Sequence, residues 1–235
     1  MSQILVITSC TGEKAEVGHP GLQLSDFQDR ERLKHGEEIL RDLMRPAGFM
    51  YTGQQHVCAM KGVRLLRQSL GAAAVQVCIV SAGYGVLDED RLIAPYDVTF
   101  SGMARAEARR WARDIGAADG IRARLPGHDL VLVLLGSSYL DAVDPPLPAA
   151  DGQRVIYFAK AAEQRRLTRT GGVLVLAGAA ESTRYGMGLI GLKGRMLELF
   201  GQTVDRHGHS LVKAVRADST GTVMTAILQH EATRS

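Results

Sequence analysis

Ile4-Leu5-Val6-Ile7-Thr8-Ser9-Cys10-Thr11-Gly12-Glu13-Lys14 begins as an unbroken apolar run and ends in a small, polar, glycine-bearing turn. A short run that is apolar at every position suits a central parallel strand, covered by helices on both faces. The design recurs twice. Val77-Cys78-Ile79-Val80 runs into Ser81-Ala82-Gly83-Tyr84-Gly85, and Leu130-Val131-Leu132-Val133-Leu134-Leu135 runs into Gly136-Ser137-Ser138-Tyr139. In an open parallel sheet all strand C-termini share one edge, and ligands bind in the crevice there. Three such loops would build one pocket of backbone N–H groups, hydroxyls and a thiol, a layout that predicts an enzyme without naming its reaction.

Outward from these strands the apolar residues change to helical spacing. An irregular stretch from Pro20 to Asp29, with Ser25-Asp26 placed to cap, precedes a predicted helix over 28–45. Its expected buried stripe is Leu33, Ile39, Leu40, Leu43 and Met44, and Pro46 and Gly48 end it. A second helix is predicted over about 51–70, closed by Gly71. The segment 88–102 reads as loop around Pro95, and 103–115 as a helix holding the single tryptophan, Trp111. Beyond a proline-rich crossing at Pro145, Pro146 and Pro148 come a strand (154–158), a helix (160–170), a strand (172–177) and a helix (189–200). Segments 212–215 and 223–228 fit strand or helix equally. Strands alternating with helices predict a three-layer α/β domain with a mostly parallel central sheet and right-handed crossovers, over 1–235, with 203–235 open to being an appendage.

The composition is that of a soluble globular chain: 46% hydrophobic and 23% charged over 235 residues. No apolar stretch nears the roughly 18–20 residues that span a bilayer, which excludes a membrane partner. Met1-Ser2-Gln3 leads straight into a strand without a basic leader, and Cys10, Cys58 and Cys78 neither form a C-x-x-C pair nor all pair together. The cytoplasm is therefore the expected compartment. A net charge of +3 permits nucleic-acid contact without demanding it. A homo-oligomer remains open.

The loops carry the candidate chemistry. Ser9, Thr11, Gly12 and Lys14 resemble an anion-binding turn, though Walker A spacing is absent. Cys10 is either a nucleophile activated by loop amides and Lys14 or an inert buried thiol. In the second loop Ser81, Gly83 and Gly85 would let backbone approach a ligand, and Tyr84 and Tyr96 would stack on a planar base. Asp88, Glu89, Asp90 or Asp97 would supply a general acid or base, with Asp88 and Asp97 the chosen candidates. Tyr51, Gln54, Gln55 and His56 open a helix. There the amides would read a base edge and His56 would move protons, unless the cluster is only a surface helix start. Gly136, Ser137 and Ser138 would wall the pocket, with Glu181 and Arg184 contributing from the last strand end. Gly186-Met187-Gly188-Leu189-Ile190-Gly191 fits G-x-G-x-x-G formally, but the preceding strand ends too far back. A glycine-rich helix start would still suit a phosphate, with Lys193 and Arg195 adding charge one turn in; the rival, slightly favoured reading of these two is a solvated helix face. His207-x-His209 lacks further ligands, so no metal and no cofactor is expected.

Thr8-Ser9-Cys10-Thr11-Gly12-Glu13-Lys14, Tyr51-Thr52-Gly53, Ser81-Ala82-Gly83-Tyr84-Gly85-Val86 and Ile93-Ala94-Pro95-Tyr96-Asp97 together resemble a known family. It comprises small bacterial proteins grouped with peroxide-stress protein YaaA and, more distantly, the lysine-transfer domain of archaeosine synthase. The likeness covers roughly residues 1–145. It implies a Rossmann-like α/β domain acting on nucleic acids or their bases. That family's first loop often carries a second basic residue, where this chain has Gly12-Glu13-Lys14, and residues 160–235 have no counterpart.

The expected function is thus an enzyme on a nucleotide, nucleoside or nucleic-acid base, glycosidase-like or transferase-like. It would cleave or exchange the N-glycosidic bond or modify the base. Two rivals stand beside it: a Cys10-nucleophile acyl or amine transferase on a small metabolite, and a non-catalytic nucleic-acid-binding module.

Overall fold

The computed structural model describes residues 2–15 and 21–234, so Pro20, where the irregular stretch was expected to start, lies outside the described residues. Among the described residues eight strands form: β1 (Ile4–Ser9), β2 (Arg45–Pro46), β3 (Val75–Ser81), β4 (Gly85–Asp88), β5 (Leu92–Ile93), β6 (Leu130–Val133), β7 (Arg154–Ala159) and β8 (Val173–Leu176). Six make one sheet in the order β4-β3-β1-β6-β7-β8, and β2 pairs with β5 in a separate ribbon. From β3 to β8 every pairing is parallel. Ile4 of β1 stands opposite Val75 on one side and Leu130 on the other, and all six β1 residues are buried. The doubly covered strand expected from the apolar run is what forms, in a three-layer Rossmann-like α/β fold.

The strand β4 was not expected. Gly85 adopts φ +76°, open to glycine without strain, and the chain folds back antiparallel along β3. Ser81 then faces Gly85 and Cys78 faces Asp88, so each residue along β4 recedes from the sheet's C-terminal edge.

One helical layer is built around Gln54–Leu70 and Leu192–His207. Their axes approach closely because glycines meet backbone: a Cβ on Gly62 would stand 2.6 Å from the Leu197 carbonyl oxygen, one on Gly201 would stand 2.8 Å from that of Gly62, and Gly194 abuts the Gln55 carbonyl. Arg105–Asp114, Ala117–Arg122 and Ser137–Val143 pack together in another layer. The ambiguous tail is helical, at His209–Ala217 and Thr222–Ala232, and buries Val212, Val215, Met224 and Leu228 in the common core. Glu231 closes it against Arg206 and Thr203.

Elsewhere the helices are shorter than their sequence spacing suggests. Arg30–Ile39, capped by Asp29 at the N–H groups of Glu31 and Arg32, buries no residue, and Ile39 is 69% exposed rather than part of a buried stripe. The 160–170 segment holds only a 3-10 turn, Ala161–Glu163, and the single-turn helix Gln164–Leu167. No helix among the described residues is long and apolar enough to cross a membrane.

Candidate functional site

From β1 the chain crosses to β3 on one side and later returns to β6 on the other, so connections diverge at the C-terminal end of β1. Such a switch point leaves a crevice between the diverging loops. Cys10 is the first residue beyond β1. Its N–H donates to the Val80 carbonyl at 2.9 Å, which extends the β1–β3 ladder into the loop. The Ser137–Val143 helix brings Tyr139 over from β6, with its hydroxyl 2.9 Å from Cys10 Sγ and 3.2 Å from Thr99 Oγ1.

A chain of hydroxyls backs this pair. Ser81 Oγ accepts from the N–H groups of Gly83 (3.2 Å) and Tyr84 (2.9 Å). With both lone pairs engaged, Ser81 must donate its proton to Tyr96 Oη, 2.7 Å away. Tyr96 in turn has Tyr51 Oη at 2.8 Å and the Cys10 thiol within hydrogen-bonding reach. Two fixed backbone N–H groups therefore set Ser81 as the donor to Tyr96, which leaves the Tyr96 proton for Tyr51 or Cys10. Burial holds Tyr51 and Tyr96 well above the ordinary phenol range, and negative charge on Cys10 would raise them further. Tyr139 is raised for the same two reasons. All three stay neutral, and the two within hydrogen-bonding reach of Cys10, Tyr96 and Tyr139, can donate to negative charge developing there.

Lys14 completes the cluster. Its Nζ donates to the carbonyls of Thr11 and Gly12, each at 3.3 Å, and lies 4.4 Å from the centroid of the Tyr96 ring. Burial lowers its pKa, while Cys10 and Asp97 act to raise it. Asp97 is exposed at the rim. The first loop differs from the anion cradle expected of Ser9, Thr11 and Gly12: its carbonyls turn inward to Lys14. Ser9 is buried in β1, and Thr11 Oγ1 accepts from Gly53 N–H (3.2 Å) and donates to the Glu13 carbonyl (2.8 Å). The cation, rather than the amides, faces the site.

Several other expected residues are used by the fold. The Tyr96 ring is 2% exposed and meets Phe27, Tyr51 and Tyr84 edge to face, so no base slides between Tyr84 and Tyr96. The Tyr84 hydroxyl accepts from Ala94 N–H. Gly83 admits the Phe27 ring, 2.6 Å from where its Cβ would be, and Gly85 makes the β3–β4 turn, so both glycines accommodate protein rather than ligand. Gln55 donates to the Leu134 carbonyl at 3.0 Å from a buried position. His56 is 1% exposed, its Nε2–H donates to the Gly48 carbonyl at 2.9 Å, and burial lowers its pKa, leaving it a neutral interior group. Of Tyr51, Gln54, Gln55 and His56, Gln54 alone is exposed.

Asp88 lies at the opposite edge of the sheet, 2.8 Å from Arg124, because β4 carries it there. Glu181 accepts from Gly178 N–H at 2.9 Å and, with exposed Arg184, lines a cavity beside the edge strand β8, three strands from β1. Gly136 caps the helix that delivers Tyr139. Ser137 and Ser138, on its first turn, line a neighbouring cavity with Asp141.

Residues the sequence reasoning passed over are also present. Tyr139, which in the sequence only ends the Gly136-Ser137-Ser138 turn, is the hydrogen-bond partner of the thiol. Its position three residues after Gly136, on the first turn of a helix following a buried strand, was the available signal. Thr99 had none, since only the path of the 88–102 segment brings it near. Lys193, which the sequence left between a phosphate-holding helix start and a solvated face, is half-buried, and desolvation followed by the charge of Lys160 lowers its pKa to about 8.

No curated protein matches the chain in sequence. A protein-family model does match residues 41–169, a span that holds Tyr51, Ser81, Tyr96, Asp97, Tyr139 and Lys160 but neither Cys10 nor Lys14. Since that is more than half of the chain, the protein belongs to the family so described, a family of unknown function (DUF6884).

Proposed function

We propose that the protein is an enzyme acting on a nucleotide, nucleoside or nucleic-acid base at the C-terminal ends of β1 and β3, cleaving or exchanging the N-glycosidic bond or modifying the base. The observation that carries this reading is the convergence of Lys14, Cys10 and Asp97 at the switch point, backed by hydroxyls oriented toward them. Departure of a base from a glycosidic carbon leaves a cation-like centre and needs a proton for the leaving nitrogen. Asp97, exposed at the rim, suits the first task, and Lys14, its proton loosened by burial, suits the second. With the tyrosines engaged by one another, a base would be read along its polar edge instead of being stacked. Titration calorimetry against a panel of nucleosides and nucleotides tests the substrate class, with Asp97→Asn and Lys14→Met expected to abolish turnover of whichever compound binds. Failure of every member to bind the folded protein refutes it.

One observation favours a second reading. Cys10 Sγ has a phenol donor at 2.9 Å and the Lys14 charge nearby, an arrangement that also suits a thiolate nucleophile in acyl or amine transfer. Loss of turnover in Cys10→Ala with turnover kept in Asp97→Asn selects this reading over the first.

A further inference from the structure

We infer that a cavity of about 210 Å³ at the C-terminal ends of β6, β7 and β8 is a binding site for a phosphate group, held between Lys160 and Lys193. The identity of the phosphate carrier as a nucleotide rests on the reading above; the site itself does not.

Three observations support it. Lys160 follows β7 directly, and Lys193 lies in the first turn of the Leu192–His207 helix; both line this cavity, and no carboxylate does. Neither ammonium has an ion pair or a hydrogen bond among the described residues, in a chain where Arg67, Arg105, Arg124, Arg166, Arg195 and Arg206 are all paired with carboxylates. The two cations are also close enough that Lys160 lowers the proton affinity of Lys193. Lys160 is exposed at the cavity mouth and Lys193 half-buried behind it, and a half-buried cation facing a second one is unfavourable unless an anion joins them.

The chemistry of the lining selects the anion. Two ammonium groups and the Ser137 hydroxyl provide more than one positive charge and several donors, matching a phosphate monoester better than a monocarboxylate. Leu189 and Ile190 line the same cavity and are 50% and 81% exposed, which places an apolar wall beside the charged pair. The site is next to the Cys10 cluster along one sheet edge, since the helix that carries Tyr139 to Cys10 also contributes Ser137 here.

Calorimetric titration of inorganic phosphate, a nucleoside 5′-monophosphate and its parent nucleoside into wild type, Lys160→Met, Lys193→Met and Lys193→Arg provides the test. Phosphate and the monophosphate should bind wild type, each Met substitution should weaken both by roughly tenfold or more, and Lys193→Arg should retain part of the affinity. Circular dichroism and urea melts of the same samples separate loss of binding from loss of fold. Phosphate binding that depends on both lysines upholds this site whatever the nucleoside does; a monophosphate that binds no better than inorganic phosphate, together with a nucleoside that does not bind, counts separately against the nucleobase reading. Absence of phosphate binding to wild type, or binding that neither Met substitution weakens, overturns the inference even where the nucleoside binds.

Discussion

Lys193→Met should make the protein more stable at neutral pH. The lysine's pKa falls from 10.5 to about 8 in the folded protein, chiefly through desolvation and then through Lys160. A shift of about 2.5 units at ~1.4 kcal/mol each is a penalty of about 3 kcal/mol. The sign follows from proton counting. Below pH 8 both folded and unfolded chains carry the proton, and the whole penalty is present. Between about 8 and 10.5 the unfolded chain binds more protons, so wild-type stability rises with pH, and above that window the penalty is gone. Methionine keeps most of the apolar stem without the charge. The variant should therefore gain about 3 kcal/mol at pH 7, a rise of about 1 M or more in urea midpoint, with the gain shrinking toward zero by pH 10.5. Taking the difference between the two proteins in phosphate-free buffer at pH 7, 8, 9 and 10 cancels the tyrosines and thiols that titrate in both. A destabilised variant at pH 7, or a difference that does not change with pH, refutes the account of Lys193 as a desolvated, unpaired cation.

Gly194→Ala should destabilise by about 1–3 kcal/mol despite alanine's helix propensity, because its Cβ enters the Gln55 carbonyl. Gly188→Ala, with nothing within 4 Å of its Cβ, is the matched control expected to stay near wild type in the same urea melt. Ser81→Ala strips the acceptor from the N–H groups of Gly83 and Tyr84 and should cost about 1–3 kcal/mol, while any turnover falls further because the donor chain toward Cys10 loses its origin.

The strands β1, β3 and β6 were legible because burial on both faces writes itself as an uninterrupted apolar run. The placement of Cys10, Lys14 and Asp97 near one another follows from those strand ends and the loops after them. What was illegible depended on partners distant in sequence. Gly85–Asp88 is four residues long and pairs with the strand just before it, so nothing local distinguishes it from loop, and this one hairpin decides that Asp88 leaves the site. Tyr84 and Tyr96 look like a stacking platform until Phe27 and Tyr51 meet them at right angles and Lys14 lies over the Tyr96 ring. The tail was ambiguous because Val212, Val215, Val223 and Ile227 favour strands by type. Its burial at 212 and 215, and at 224, 227, 228 and 231, follows helical spacing instead.

Trp111 is the single tryptophan of the chain, 7% exposed, and its indole N–H donates to the Ala82 carbonyl at 2.6 Å. Ala82 lies in the turn between β3 and β4, one residue beyond the serine that begins the hydroxyl series. The protein thus carries a built-in optical probe anchored to the wall of its own crevice. Any ligand that shifts that turn will change the polarity around one indole, so site occupancy can be followed by intrinsic emission, without a label and before any reaction is known.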